Sequence, residues 1–209
     1  MTNKKLRILT SIVYLIPIVI GLMFYSKMPE QVAIHWGFDG NPDGYASKVV
    51  AIVVLPLTLF VVNLLLPFLL KMDPKYENIS EKTVNLLLWI LPVVSLMASG
   101  LTISSALGKE VNVNVFAPLV VGIMFTVIGN YLPKMSQSYT VGIKLPWTLN
   151  DEENWNKTHR LAGKLWVACG LLLIIGSFTN MTMGLMIVML VVAVIVPTVY
   201  SYMQFKNTK

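Results

Sequence analysis

Hydrophobic and polar positions along this chain separate into long blocks. Six apolar runs stand out: Leu6 to Tyr25, Val49 to Leu70, Val84 to Leu107, Val115 to Leu132, Leu161 to Phe178 and Met181 to Met203. Each falls in the range of roughly 17 to 25 residues that lets a helix cross a bilayer. In hydrocarbon the backbone must satisfy its own hydrogen bonds, and nothing alternates with period two over the roughly ten residues of a barrel strand. The pattern therefore predicts an all-α fold, a polytopic transmembrane helical bundle of six spans. The fourth and fifth runs are the shortest at 18 residues each, and a re-entrant segment is the alternative for either.

Composition and charge sharpen this picture. A hydrophobic share of 56% with 12% charged residues lies outside the range of soluble domains. The expected organisation is one membrane domain over residues 1–209. Within it, an N-terminal helical hairpin (1–70) bears an outer loop at 27–48, and a C-terminal part (115–203) bears an inner loop at 133–160. Cations orient such a bundle, because short loops rich in Lys and Arg stay inside. One side gathers Lys4, Lys5, Arg7, Lys71, Lys75, Lys82, Lys134, Lys144, Lys157, Arg160, Lys164, Lys206 and Lys209, against Lys27, Lys48 and Lys109 on the other. Both termini are thus expected in the cytoplasm. The net charge of +6 follows from this topology and calls for no nucleic acid, while the inner face would attract anionic lipids. Lys4-Lys5-Leu6-Arg7 before an apolar run suggests a signal peptide, but the run is too long and no small-x-small cleavage site follows. A lone Cys169 excludes a disulfide framework within the chain.

The polar intervals hold the candidate chemistry. In the outer loop, Gln31 to Trp36 reads as a short extended piece and Asp39 to Gly44 as a turn. Asp39, Asn41, Asp43 and Gly44 match the opening of a calcium loop, but Val50 stands where its bidentate Glu belongs. His35 is either a ligand-facing, pH-sensitive group or a side chain bonded to loop backbone, with Trp36 as a headgroup anchor. The interval 71–82 reads as a connector, with a turn at Asp73-Pro74 and Ser80 as N-cap of the third helix. Gly122 and Gly129, and likewise Gly163 and Gly170, are seven apart, which opens one face of each helix and predicts that the fourth and fifth spans pack together. In the interval 133–160, Asn150 with Glu153 predicts a helix start near Asp151. Along that helix Glu152, Trp155, His159 and Ala162 form a semi-polar stripe at the inner interface, and Trp147 and Trp155 suit an aromatic belt.

No His-Glu-x-x-His, Gly-x-Ser-x-Gly, Walker or dinucleotide pattern is present, and the apolar runs hold no Asp or Glu. The expectation is a protein without enzymatic activity, cofactor or metal. Missing carboxylates also count against a proton-coupled transporter.

The runs Leu132-Pro133-Lys134, Val141-Gly-Ile-Lys-Leu-Pro-Trp-Thr148, Trp155-x-x-Thr-His-Arg160 and Gly163-Lys164, with Gly129-Asn130 before them, resemble the SdpI family of bacterial toxin-immunity membrane proteins. Met28-Pro29, Ile34-His35-Trp36, Gly40 and Lys48 resemble the membrane domain of unknown function at the N-terminus of that family. Lys144 replaces a frequent Arg, which keeps the charge and loses bidentate bonding. The resemblance implies a bacterial cytoplasmic membrane protein that protects the cell from a secreted, membrane-active peptide toxin. It also implies a receptor role, in which toxin engagement lets the protein sequester a cytoplasmic autorepressor. The signalling candidates are Asn130, Lys134, Gly142, Lys144, Pro146, Trp147, Thr148, Trp155, Thr158, His159 and Arg160, with His35 and Trp36 for the outer side. Prolines in five of the six apolar runs keep a small solute or lipid transporter open as an alternative, and a purely structural membrane subunit is the third reading. A reporter fused at Gln137 is expected to read out on the cytoplasmic side; an external signal would overturn the even-crossing topology.

Overall fold

A computed structural model describes residues 4–37, 39–179 and 183–207. The expected start of the sixth run at Met181 and the cation Lys209 lie outside the described residues. The elements are α1 (Lys4–Met23), β1 (Gln31–Trp36), β2 (Pro42–Ser47), α2 (Leu55–Lys71), α3 (Glu81–Ala106), α4 (Val113–Tyr131), α5 (Pro146–Asn150), α6 (Glu152–Ser177) and α7 (Met183–Asn207). A π-helical turn, Val50–Val54, extends α2 at its start. Among the described residues six helices are long and apolar enough to cross a membrane, including α4 and α6 at 19 and 26 residues. The protein is a multi-pass membrane protein. The extended piece expected at Gln31 to Trp36 is real and pairs antiparallel with β2, a small strand addition to the helical fold.

The chain divides into two compact units. The first takes in the described residues up to Pro67 together with Val84–Val113. Within it α1 lies close against the π turn: a Cβ at Gly21 would sit 3.2 Å from that of Ile52. Tyr14 packs on Phe60 with ring centroids 5.5 Å apart. At the hairpin end, Met28, Ile52 and Ile103 form a buried cluster with Phe24, Tyr25 and Leu107 around it. The base of the hairpin is closed by Lys48, whose ammonium meets Glu30 at 2.8 Å and lies 4.5 Å from the Tyr25 ring centroid. Large apolar side chains such as Ile8, Leu15, Val61 and Leu65 remain about half exposed on α1 and α2. In water such faces would drive association; in hydrocarbon they match their solvent.

The second unit comprises Phe68–Thr83 and the chain from Asn114 onward. Here α4 and α6 cross at the glycine pairs the spacing singled out. A Cβ at Gly170 would lie 2.6 Å from the Gly122 carbonyl oxygen, and one at Gly163 2.7 Å from that of Gly129. The two backbones touch, so no larger residue fits at any of the four positions. One tryptophan then ties in α7. Pro197 has no N–H, which leaves the Ala193 carbonyl without its helical partner. Trp166 Nε1 donates to that carbonyl at 3.0 Å while its ring stacks on Phe125 of α4 at 4.4 Å.

Gly170→Val is expected to lower thermal stability by the cost of overpacking, about 1–3 kcal/mol. Gly100→Ala, where a Cβ meets nothing within 4 Å, is expected to be neutral or stabilising by up to about 1 kcal/mol. Thermal melts of the two purified variants check both outcomes.

Candidate functional site

The site is built at the start of α6, ahead of its apolar run. Twenty-six residues rise about 39 Å, more than the roughly 30 Å of hydrocarbon, so the first two turns stand at the membrane edge. Asp151 caps that end: its carboxylate accepts from the Glu153 and Asn154 amides at 2.9 and 3.0 Å. The expected cap, Asn150, instead closes α5 one residue earlier and donates to Pro146 O at 2.7 Å. The shift has a local cause. Pro146 presets the first turn of α5, and that short helix uses Asn150 before α6 begins.

Trp155, Thr158 and His159 on α6 are fully or almost fully buried, so the stripe expected at an interface is packed inside instead. Only Glu152 of that stripe is exposed. What covers these residues is the loop between Met135 and Leu145. Trp155 Nε1 donates to Met135 O at 2.8 Å, and the Ile143 amide donates to His159 Nε2 at 2.9 Å. His159 Nδ1 lies 2.8 Å from Trp155 O. A ring nitrogen that accepts from an amide holds no proton, so the network assigns the neutral tautomer with hydrogen on Nδ1. The two rings stack at 4.0 Å. Gly142 crosses over them with φ of +112°, where a Cβ would sit 2.6 Å from His159 Nε2 and 2.7 Å from Trp155 Cη2. Backbone conformation and space both demand glycine there.

Further bonds fix the loop internally. Ser138 Oγ accepts from the Val141 amide at 2.9 Å and donates to Val141 O at 3.0 Å. Buried Thr148 accepts from the Leu145 amide at 2.9 Å and donates to Ile143 O at 2.8 Å, which joins the loop to α5. Trp147 extends the network to α7. Its Nε1 donates to Ser201 Oγ, Ser201 donates to Asn154 Oδ1, and Thr158 donates to the same oxygen, at 2.8, 2.7 and 3.0 Å. The Trp147 ring also lies against Tyr202 and Phe205, so it packs on α7 as well as suiting an interfacial belt.

The interval 71–82, read from sequence as a plain connector, is part of the site. Asp73 Oδ2 accepts from the Thr140 amide at 2.8 Å and its hydroxyl at 2.7 Å, while Oδ1 accepts from the Lys75 amide at 2.8 Å. Burial disfavours the Asp73 carboxylate, but bonds from Lys75, Thr140 and Tyr139 together outweigh it and hold its pKa below the ordinary value. Lys75 Nζ bonds to Gln137 Oε1, Asn78 Nδ2 reaches Gln137 O at 3.3 Å, and Gln137 Nε2 donates to Thr148 O at 2.6 Å. Asp73, Lys75, Asn78 and Gln137 escaped sequence reasoning because an Asp-Pro turn is common and its partners lie about sixty positions away. Ser80 does accept from the Thr83 amide at 3.2 Å, as an N-cap should.

The candidate residues therefore fall into two sets. Gly142, Trp147, Thr148, Trp155, Thr158 and His159 meet in one network, in which Gly142 and Trp147 are half-buried and the other four buried. Asn130, Lys134, Lys144, Pro146 and Arg160 are exposed around it: Lys134 reaches Asn130 at 3.5 Å, and Lys144 donates to Thr140 O at 3.1 Å. His35 and Trp36 belong to the hairpin of the first unit. His35 Nδ1 lies 2.5 Å from an Asp43 oxygen, a carboxylate partner in place of the expected loop backbone. Asp39 accepts from the Asn41 amide and side chain at 3.0 and 2.8 Å, so it closes a turn. Among the described residues no three His, Cys, Asp or Glu side chains gather as a metal would need.

Residues 134–201 match the SdpI/YfhL protein family, and residues 12–60 match a domain of unknown function, DUF1648. The chain is similar to a Bacillus subtilis (strain 168) protein named Immunity protein SdpI, 29% identical over 211 residues that cover 97% of each chain. No solved structure matches. The resemblance seen in the Gly-Ile-Lys-Leu-Pro-Trp-Thr run is thus borne out, and the match to the first family begins at Lys134, the edge of the loop just described.

Gly142→Ala is expected to destabilise the second unit by about 1–3 kcal/mol through strain and the clash with His159, while Lys144→Gln leaves stability within about 0.5 kcal/mol. Acid should also loosen the loop. The folded pKa of Asp73 lies below its ordinary value, so its stabilisation is complete above the ordinary carboxylate range. It fades as pH falls through the lowered folded value. Tryptophan fluorescence is expected to show this transition in the wild type and to show it reduced in Asp73→Asn, where protonation of His159 still breaks its bond from the Ile143 amide.

Proposed function

We infer that this chain, a multi-pass membrane protein of the SdpI/YfhL family, protects its membrane from a secreted, membrane-active peptide toxin. The observation that carries this reading is the 29% identity to Immunity protein SdpI over nearly the full length of both chains. In this reading the termini and the 133–160 segment face the cytoplasm, supported by the gathering of thirteen of sixteen cations on that side. Toxin is met from outside or within the bilayer.

The finer part of the proposal concerns signalling. Lys134, Lys144 and Arg160 stand exposed around a loop whose underside is anchored to α6 and to the 71–82 segment, so they present fixed positive charge. Such a face suits an acidic surface on a cytoplasmic repressor, with anionic headgroups beside it. The protein acts here by binding rather than catalysis. In support, both ring nitrogens of His159 are engaged with backbone, which leaves none to move a substrate proton.

Cells carrying the chain are expected to survive a dose of the cognate toxin that kills cells lacking it; equal survival would remove the immunity reading. The triple variant Lys134→Gln, Lys144→Gln, Arg160→Gln is expected to keep protection and lose toxin-dependent induction of a reporter gene. Unchanged induction would remove the signalling face alone.

A further inference from the structure

In the first unit, α1 and α2 leave between them an open groove of about 430 Å³ lined by Lys4, Arg7, Ser11, Ile12, Phe60 and Leu64, with Ile8 and Leu15 completing its walls. Its polarity is graded along its length. Two cations and a hydroxyl stand toward the start of α1, and beyond them the lining is purely apolar. Lys4 and Leu15 are eleven residues apart, a rise of about 16 Å, close to half of a roughly 30 Å hydrocarbon core. Among amphiphiles of a bilayer, one with an anionic headgroup and an acyl chain reaching the midplane satisfies both ends. A zwitterionic lipid would bring its own cation against Lys4 and Arg7.

We propose that this groove is a binding site for one anionic phospholipid, its phosphate held by Lys4 and Arg7 and an acyl chain laid along Ile8, Ile12, Leu15, Phe60 and Leu64. The site does not depend on the immunity reading, since nothing in it involves the toxin or the 133–160 loop. Ser11 Oγ donates to Arg7 O at 2.7 Å, so its proton is used within α1 and the headgroup is left to the two cations. A lipid seated there would stiffen the pairing of α1 with α2.

The test uses the full chain purified in mild detergent, with native mass spectrometry counting retained lipid. Phosphatidylglycerol and phosphatidylcholine with the same acyl chains are offered in turn. Phosphatidylglycerol should be retained at low micromolar concentration as a single copy, and phosphatidylcholine should bind on the order of thirtyfold more weakly, about fivefold for each cation. Lys4→Gln with Arg7→Gln is expected to abolish the difference between the lipids. Ser11→Phe, which fills the groove and keeps both charges, is expected to weaken both. Lys82→Gln with Lys206→Gln removes equal charge from other helix ends and should change nothing. Equal retention of the two lipids by the wild type would overturn the proposal. So would equal loss in the Lys82 and Lys206 variant, which would mark diffuse attraction, or full competition by inorganic phosphate, which would mark a headgroup-only site.

Discussion

The contact on which the second unit depends is the passage of Gly142 over the stacked rings of Trp155 and His159. A loop without regular structure at a membrane edge has backbone groups that neither a helix nor a sheet supplies with partners, and each one buried and unpaired costs about 1–3 kcal/mol. Trp155 and His159 meet two of these demands, at Met135 O and the Ile143 amide, and can do so only because no side chain intervenes at position 142. Against a total stability of about 5–15 kcal/mol, losing this layer would release the loop.

Two other constraints deliver α6 to that contact. Below the loop, the four glycines bring α4 and α6 to backbone contact, so the two ends of the 131–152 segment are held at a fixed separation. Beside it, Trp166 answers the carbonyl that Pro197 orphans, which turns a proline defect in α7 into an attachment between helices. Asn154 and Ser201 repeat the theme nearer the site, where their paired side chains extend the polar network from α6 to α7. The membrane spans thus also act as the frame of the loop.

This arrangement separates tasks among residues that a motif lists side by side. Gly142, Thr148, Trp155, Thr158 and His159 build shape, since their polar atoms point inward and are engaged. Lys134, Lys144 and Arg160 are what a partner can meet. In the first unit the hairpin does similar work on a smaller scale, because Gly44 admits His35 opposite it and Asp43 then holds the imidazole.

How much of this was legible beforehand follows from the range of each interaction. Six spans, the glycine crossing, the cap at Ser80 and the family likeness of the Gly-Ile-Lys-Leu-Pro-Trp-Thr run could be read from the chain alone, because hydropathy, helical spacing and local caps act over a few residues. The shift of the cap from Asn150 to Asp151 could not, since it depends on a five-residue helix that competes for the same segment. Nor could the role of Asp73, whose partner Thr140 is sixty-seven positions away. By itself the sequence determined that this chain lives in a membrane as helices and which stretch between them is polar. Only the tertiary structure decided which of those polar residues turn inward to hold the loop and which remain on the surface, because that depends on distant segments meeting, and no local pattern encodes it.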